Sequence, residues 1–135
     1  MVEYAGCAGG VKVGSIAELG FDCSELSPKV DGGLMTTRQR LANRRASVNF
    51  TFELDGLRYT ATVSRTENGG LAELFLNNTK GGSQADTNAR DAAIILSFAL
   101  QYGADLDTIR EALSRDVSGR AIGPVGAALD ILAGR

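Results

Sequence analysis

The stretch KGGSQADTNARDAAIILSFALQYG, which runs from Lys80 to Gly103, decides the fold of this chain. Its glycine turn leads into a polar helical start, where Ser83 can cap the helix by accepting a hydrogen bond from a backbone N–H. From Ala92 onward the stretch is almost continuously apolar, which is typical of a helix that is buried nearly all round. Gly103 suits the left-handed conformation that ends many helices. We expect this long helix to be the element on which both halves of the chain pack.

Three β-strands are predicted before the helix. The segment ASVNFTFELD, residues 46–55, alternates apolar and polar side chains with the period of two that marks a strand buried on one face. Asp55-Gly56 then supplies a tight hairpin turn into the alternating segment LRYTATVSR. Asn68-Gly69-Gly70 turns the chain once more before LAELFLNN. The pattern predicts an antiparallel meander with one apolar face, which the long helix would cover.

Two shorter helices are predicted after the long one. Asp105 starts DLDTIREALSR, whose apolar residues recur at helical spacing, and Pro124 fits the first turn of PVGAALDILA. The predicted fold class is therefore α+β: a three-stranded antiparallel β-meander packed on a long central helix, followed by two shorter helices. The long helix would receive the sheet on one side and the shorter helices on the other.

The composition is that of a soluble globular protein. Of the 135 residues, 44% are hydrophobic and 22% are charged, which suits one domain with a single core. The net charge of −2 argues against nucleic-acid binding by bulk electrostatics, because that mode needs an excess of lysine and arginine. Neither a signal peptide nor an apolar stretch of membrane-spanning length is visible, so we expect a cytoplasmic location.

The beginning of the chain has the least defined pattern. Residues 1–43 are rich in glycine and show no sustained hydrophobic period, which predicts a weakly structured arm ahead of a folded domain at residues 44–135. Two interpretations of the arm are open. It is either a mobile segment or a segment that docks on a partner or on a neighbouring subunit.

No residue set in the sequence indicates catalysis. The chain contains no histidine, which removes the commonest general base and the commonest metal ligand. Cys7 and Cys23 stand far apart with no further cysteine to complete a zinc site, and we interpret them as free thiols. We therefore predict no catalytic residue, no metal site and no cofactor.

The first candidate site is an anion site at the start of the long helix. Its residues, Lys80, Gly81, Gly82 and Ser83, combine a cation, glycine amides, a hydroxyl and a helix N-terminus, which together suit a phosphate group. Arg120 stands in a second glycine-bearing loop and would complete a cationic cleft if the two loops lie side by side. The alternative is a strand-to-helix turn that needs glycine for its backbone. The full G-x-x-x-x-G-K-[ST] motif is missing, so nucleotide hydrolysis is not supported.

The second candidate site is the polar first half of the long helix, formed by Asp86, Asn88, Arg90 and Asp91. Asp86 and Arg90 are four residues apart and can pair along the helix surface. Asn88 and Asp91 lie about one turn apart, and they would meet Arg120 in a buried polar network that fixes the docking of the helices. The alternative is a solvated helix start.

The third candidate site is a basic patch formed by Arg38, Arg40, Arg44 and Arg45, with no acidic residue among them. Each guanidinium offers a planar fork of donors that suits phosphate. Nucleic-acid binding through this patch would depend steeply on salt concentration. The alternative is a solvated entry to the first strand.

The order of predicted elements, together with Lys80–Ser83 and the alanine-rich run Ala92–Gly103, resembles the TSCPD domain family. The resemblance covers about Ala46 to Leu113. The family is a C-terminal module of adenosylcobalamin-dependent ribonucleotide reductases and also forms small free-standing proteins, so the resemblance implies an accessory, ribonucleotide reductase-like module. The family's Thr-Ser-Cys-Pro stretch is missing here and Gln84 follows the Gly-Ser pair, so no thiol or metal role is carried over.

The predicted function is that of a non-catalytic binding or assembly module. The chain is too short, and lacks the thiols, for reductase activity of its own. A protein partner or a second copy of the chain is expected, because a three-stranded sheet leaves its edges open and the alanine-rich helix allows close approach. One alternative is a protein that binds a phosphate or nucleotide at Lys80–Ser83. The other is nucleic-acid binding through the basic patch.

Overall fold

The computed structural model describes residues 37–134, which belong to one unit, Thr36–Arg135. The elements follow in the order β1 (Ser47–Leu54), β2 (Leu57–Arg65), β3 (Leu71–Asn78), α1 (Gln84–Gln101), α2 (Leu106–Ala112) and α3 (Pro124–Leu132). The predicted α+β fold, a three-stranded antiparallel meander followed by one long and two shorter helices, is confirmed. Cys7, Cys23 and residues 1–36 of the predicted arm lie outside the described residues.

The central strand of the sheet is β2, which pairs antiparallel with β1 on one side and with β3 on the other. The β1–β2 turn is the predicted Asp55-Gly56 hairpin, with φ angles of 50° and 73°. Two positive φ angles are typical of a type I′ turn, whose twist matches that of the strands. The turn fixes the register, in which Phe50 faces Ala61 and Ala61 faces Leu76. Most apolar side chains of the three strands therefore share one face, whereas Phe75 lies on the other and is exposed.

The hydrophobic core lies between this apolar face and the helices α1 and α3. Leu74, Leu76 and Leu129 are its largest fully buried side chains. The remaining buried members come from β1, β2 and both helices, namely Phe52, Tyr59, Ala61, Val63, Ala89, Ala93, Leu96, Val125 and Ala128. Helix α2 contributes no buried residue and contacts α3.

The expectation that α1 lies between the sheet and the later helices is wrong. Ile95 is 69% exposed and Phe98 is 44% exposed, so one side of α1 faces solvent among the described residues. The reason lies in α3, which directs Val125, Ala128 and Leu129 into the same core and contacts β1. The two helices therefore share the apolar face of the sheet, and α3 does not cover α1 from outside.

Helix α1 packs on β3, and two of its side chains bind backbone groups at the outer edge of that strand. The Ser97 hydroxyl accepts a hydrogen bond from the Leu74 N–H at 2.9 Å and lies 3.0 Å from the Leu74 carbonyl oxygen. Nearer the helix start, Asp86 Oδ1 accepts a hydrogen bond from the Asn78 N–H at 2.8 Å. Both helix side chains are buried, and they satisfy backbone groups that a sheet edge leaves unpaired. The expected open edge is therefore partly covered at β3, and it remains at β1 within the described residues.

Both predicted ends of the long helix are confirmed. Ser83 is the N-cap residue, and its hydroxyl accepts a backbone hydrogen bond from the first turn. Gly103 has a φ of 88° and donates its N–H to the Leu100 carbonyl oxygen at 3.0 Å. The next residue, Ala104, donates its N–H to the Ala99 carbonyl oxygen at 3.0 Å. This pair of hydrogen bonds is the Schellman motif, in which glycine avoids the strain of a left-handed backbone.

The folded domain begins before residue 44, the boundary that the sequence predicted. Gln39 donates its N–H to the Gln101 carbonyl oxygen at 2.8 Å, and Arg38 Nε donates to Gln101 Oε1 at 2.7 Å. Residues 37–43 therefore belong to the domain, because hydrogen bonds hold them at the C-terminal end of α1. In the described part of the chain, no helix is long and apolar enough to cross a membrane.

Candidate functional site

The turn Lys80–Ser83 connects β3 to α1, and a carboxylate of the protein itself accepts its amide hydrogen bonds. Asp86 Oδ2 accepts from the Gly82 N–H at 3.2 Å, while Oδ1 binds the Asn78 N–H. Asn78 Oδ1 in turn accepts from the Lys80 N–H at 2.8 Å. Gly82 has a φ of 75°, which explains why glycine stands at this position.

The carboxylate of Asp86 is both buried and stabilised in its charged form. The N–H groups of Asn78 and then Gly82 lower the pKa of Asp86, although its burial acts in the opposite direction. The predicted pair with Arg90 is present, with Arg90 Nη1 at 3.9 Å from Asp86 Oδ2. An ionised carboxylate at a helix N-terminus fills the place that a bound anion would take. The geometry therefore favours a structural turn at Lys80–Ser83 over a phosphate site.

Arg120 lies in the loop before α3, beside β1. Its backbone N–H donates to Asp116 Oδ1 at 2.9 Å, and its side chain lines a depression together with Phe52 and Glu53 of β1. None of the residues Lys80–Ser83 lines this depression. The predicted cationic cleft between the two glycine-bearing loops is therefore not formed at this depression.

The expected buried polar network at the start of α1 is wrong. Asp86 is buried, but Asn88, Arg90 and Asp91 are exposed. Asn88 Oδ1 accepts a hydrogen bond from Gln84 Nε2 at 2.9 Å, along the surface of the same helix. Asn88, Arg90 and Asp91 follow Asp86 by two, four and five positions, so they point in different directions around the helix. Of the four side chains, only that of Asp86 faces β3 and becomes buried. The other members form a solvated helix start.

A polar network that sequence analysis missed joins the loop before α3 to the helix itself. Arg115 donates from Nη1 and Nη2 to the two carboxylate oxygens of Asp130, at 2.8 and 3.0 Å. The same guanidinium donates to the carbonyl oxygens of Gly119 and Arg110, at 2.9 and 3.0 Å. The hydrogen bond to Asp130 is the main reason that the pKa of Arg115 is raised. Since Arg115 and Asp130 are fifteen residues apart, no helical spacing predicted this pair.

The loop is also closed by its own acidic residue. Asp116 Oδ1 accepts from the Ser118 hydroxyl at 2.6 Å, from the Ser118 N–H at 2.8 Å and from the Arg120 N–H. These contacts, with the hydroxyl first, lower the pKa of Asp116. Several polar groups of the loop are therefore used in hydrogen bonds within the chain.

Two residues of the predicted basic patch are engaged with the domain. The Arg38 guanidinium lies 4.4 Å from the centroid of the Phe98 ring, in addition to its hydrogen bond to Gln101. Arg45 forms an ion pair with Glu73 of β3, in which Nε lies 3.1 Å from Oε2. Both contacts hold the segment before β1 against the rest of the domain.

The patch is therefore less cationic than the sequence indicated. Part of it lines a shallow cavity of about 300 Å³, whose lining residues are Arg38, Arg40, Leu41, Arg45, Glu73 and Gln101. Arg44 is exposed and does not line this cavity. Glu73 brings a negative charge into the group, which opposes the binding of phosphate there.

The feature that best suits a binding site is the solvent-facing side of α1. Ile94 is 44% exposed, Ile95 69%, Phe98 44% and Tyr102 50%. We call these four residues the outer face of α1. Their spacing along the helix places them on one side, opposite the buried Ala89, Ala93 and Leu96. The sequence showed their apolar character but not their exposure, because a helix that is apolar all round is usually enclosed.

The described residues contain no cluster of three or more side chains that suits a metal ion. No protein-family model matches this chain, and no match was found among curated proteins or among solved structures. The resemblance to the TSCPD domain family therefore stays a prediction.

Proposed function

We propose that this chain is a non-catalytic protein-binding module of the cytoplasm, and that it binds its partner through the outer face of α1. The observation that supports the proposal is the exposure of a continuous apolar row on a helix whose other side is fixed. Scattered exposed apolar residues are normal on a protein surface. A contiguous row, by contrast, is typical of an interaction surface.

The row has the geometry of recognition between a helix and a groove. Ile95, Phe98 and Tyr102 follow Ile94 by one, four and eight positions. The four residues therefore form a single stripe about two turns long. Full burial of one large apolar side chain contributes roughly 1.5–3 kcal/mol, and each residue of the stripe still exposes about half of its surface, so contact with a partner would add part of this energy at each position. Aromatic residues such as Phe98 and Tyr102 are enriched at protein interfaces.

The charges at the two ends of the stripe predict the charges of the partner surface. Arg38 stacks on Phe98 near the C-terminal end of α1, and Asp91 is exposed one turn before Ile95. Complementary charges steer association and fix orientation. The partner surface is therefore an apolar groove with an acidic group at the end that meets Arg38 and a basic group at the end that meets Asp91. The resemblance to the TSCPD domain family suggests that this groove belongs to a larger enzyme.

The two alternative functions have less support. The Asp86 carboxylate already accepts hydrogen bonds from the Gly82 N–H of this turn and from the Asn78 N–H at the end of β3, which opposes phosphate binding at Lys80–Ser83. Glu73 pairs with Arg45 in the basic patch, and Arg38 binds Gln101, so half of the patch is engaged within the domain. The net charge of −2 also disfavours nucleic acid.

Photo-crosslinking tests the proposal with the full chain. A photoreactive amino acid is placed at Ile95 in one version and at Val117, an even more exposed aliphatic residue in the loop before α3, in the other. Each version is irradiated in an extract of its own cells, and adducts are identified by mass spectrometry. We expect one protein to be linked from Ile95 and not from Val117, and to bind the chain again after purification. Identical adducts from both positions would refute the proposal.

A further inference from the structure

The outer edge of β1 presents an open row of backbone groups. Leu54 and Leu57 flank the two-residue hairpin turn and form a hydrogen-bonded pair, as such turns require. Hydrogen-bonded and non-bonded pairs alternate along an antiparallel ladder. Phe52, Phe50 and Val48 therefore bond to β2. The backbone N–H and C=O groups that point away from β2 are those of Ser47, Asn49, Thr51 and Glu53.

The two edges of the sheet are treated differently. At β3, side chains of α1 satisfy the Leu74 and Asn78 backbone groups. At β1, none of the other backbone hydrogen bonds within residues 37–134 reaches the outward groups. The strand is eight residues long and mostly exposed, and it carries no proline and no lysine, which commonly protect an edge. This edge is a template for another strand.

We infer that the occupant of the β1 edge is β1 of a second copy of this chain, paired antiparallel about Phe50. In this register Asn49 faces Thr51 of the other copy, and Ser47 faces Glu53. Every outward N–H of one copy then meets an outward C=O of the other, with about eight hydrogen bonds in all. The two three-stranded sheets become one continuous sheet.

The charges beside β1 select the antiparallel orientation. Arg44 precedes the strand and Asp55 follows its end, whereas Arg45 and Glu53 are already paired with Glu73 and Arg58 of the same chain. Antiparallel pairing brings the basic end of one copy to the acidic end of the other. Parallel pairing would bring like charges together, which destabilises a strand pair.

The apolar face is complementary as well. Val48 lies on the core side of β1, opposite Val63 of β2, and is nevertheless 62% exposed. The register about Phe50 places Val48 beside Phe52 of the other copy and sets the two Phe50 rings across the two-fold axis. The hydrophobic layer of one domain would continue into the next.

This inference goes beyond the proposed function, because it uses the β1 edge of the sheet, whereas α1 lies beside the β3 edge. The strand order β1-β2-β3 places α1 beside one edge and the self-pairing strand at the other. A dimer formed through β1 would carry an outer face of α1 at each end. Two copies of a binding surface on one assembly raise the apparent affinity for a partner that also has two sites.

The first test compares Thr51→Pro with Thr51→Ala in the full chain, by sedimentation velocity over a range of concentrations. Proline removes the outward N–H, yet it is tolerated on an edge strand whose N–H faces solvent. Alanine keeps that N–H and serves as the matched control. We expect a dimer for the natural chain and for the alanine variant. For the proline variant we expect at least about a tenfold higher dissociation constant with an unchanged circular dichroism spectrum.

Amide hydrogen exchange of the natural chain, followed by NMR, decides the matter even where the proline variant fails to fold. The outward amides of Asn49 and Thr51 should exchange more slowly as the protein concentration rises. The inward amides of Phe50 and Phe52, which are already bonded to β2, should show a much weaker dependence. A monomer at every concentration, a proline variant that dimerises like the natural chain, or an absence of this alternation would overturn the inference. An Ile95→Asp variant should dimerise normally, so failure of the proposed function at α1 is distinguishable.

Discussion

Replacement of Ser97 by alanine would remove the hydroxyl that joins α1 to the edge of β3. Ser97 is 5% exposed, and its oxygen accepts from the Leu74 N–H at 2.9 Å. Without it, a backbone donor is left unsatisfied in a buried position, which costs about 1–3 kcal/mol. The Ser97 oxygen also lies 2.9 Å from the Ala93 carbonyl oxygen, but that carbonyl belongs to the helix and keeps its helical partner. We therefore expect the free energy of unfolding to fall by about 1–3 kcal/mol.

Urea denaturation of the full chain, followed by far-ultraviolet circular dichroism, measures this change. The midpoint should fall while the slope of the transition stays constant, because the surface exposed on unfolding hardly changes. Thr87→Ala is the control, since Thr87 is an exposed hydroxyl residue on the same helix. A loss below about 0.5 kcal/mol, which is the range of ordinary surface substitutions, would refute the edge-closing role of Ser97.

Two further predictions concern the ends of α1. Because hydrogen bonds from Asn78 and Gly82 lower the pKa of Asp86, its carboxylate stabilises the fold above its ordinary pKa of 3.8, and this stabilisation is lost as the pH falls through the lowered value. Asp86→Asn should therefore weaken the fall in thermal stability on acidification, and an unchanged pH profile would contradict this. Gly103→Ala should lower the free energy of unfolding by about 1–2 kcal/mol, because Gly103 has a φ of 88°. Urea titration would show the loss, and a neutral result would mean that the Schellman turn tolerates a side chain.

The fold was predictable because its local patterns agree with one another. The alternation in β1 and β2 and the Asp55-Gly56 turn predicted the hairpin, and the observed register follows from that two-residue turn. Ser83 and Gly103 predicted the ends of α1. The placement of α3 beside α1 was not predictable, since Val125 and Leu129 show the same apolar spacing whether they pack on the sheet or on another helix.

The candidate sites were harder to predict, because the same residue types serve both binding and structure. Glycines and a serine at a helix start suit an external phosphate, but Asp86 folds back and accepts the hydrogen bonds of that turn. The bidentate pair of Arg115 and Asp130 depends on how the loop before α3 returns to the helix, which no local period encodes. The exposure of Ile95 likewise depends on which side of α1 the other elements leave uncovered.

The central claim is that the outer face of α1 binds a protein partner. Its most direct test is isothermal titration calorimetry with the partner that the crosslinking identifies. The purified, unmodified partner is titrated into the natural chain, the Ile95→Asp variant and the Val117→Asp control. The two variants introduce the same charge at exposed aliphatic positions, one on the outer face and one in the loop before α3. We predict at least about a tenfold higher dissociation constant for Ile95→Asp and an unchanged constant for Val117→Asp. Equal affinity for all three proteins would contradict the claim.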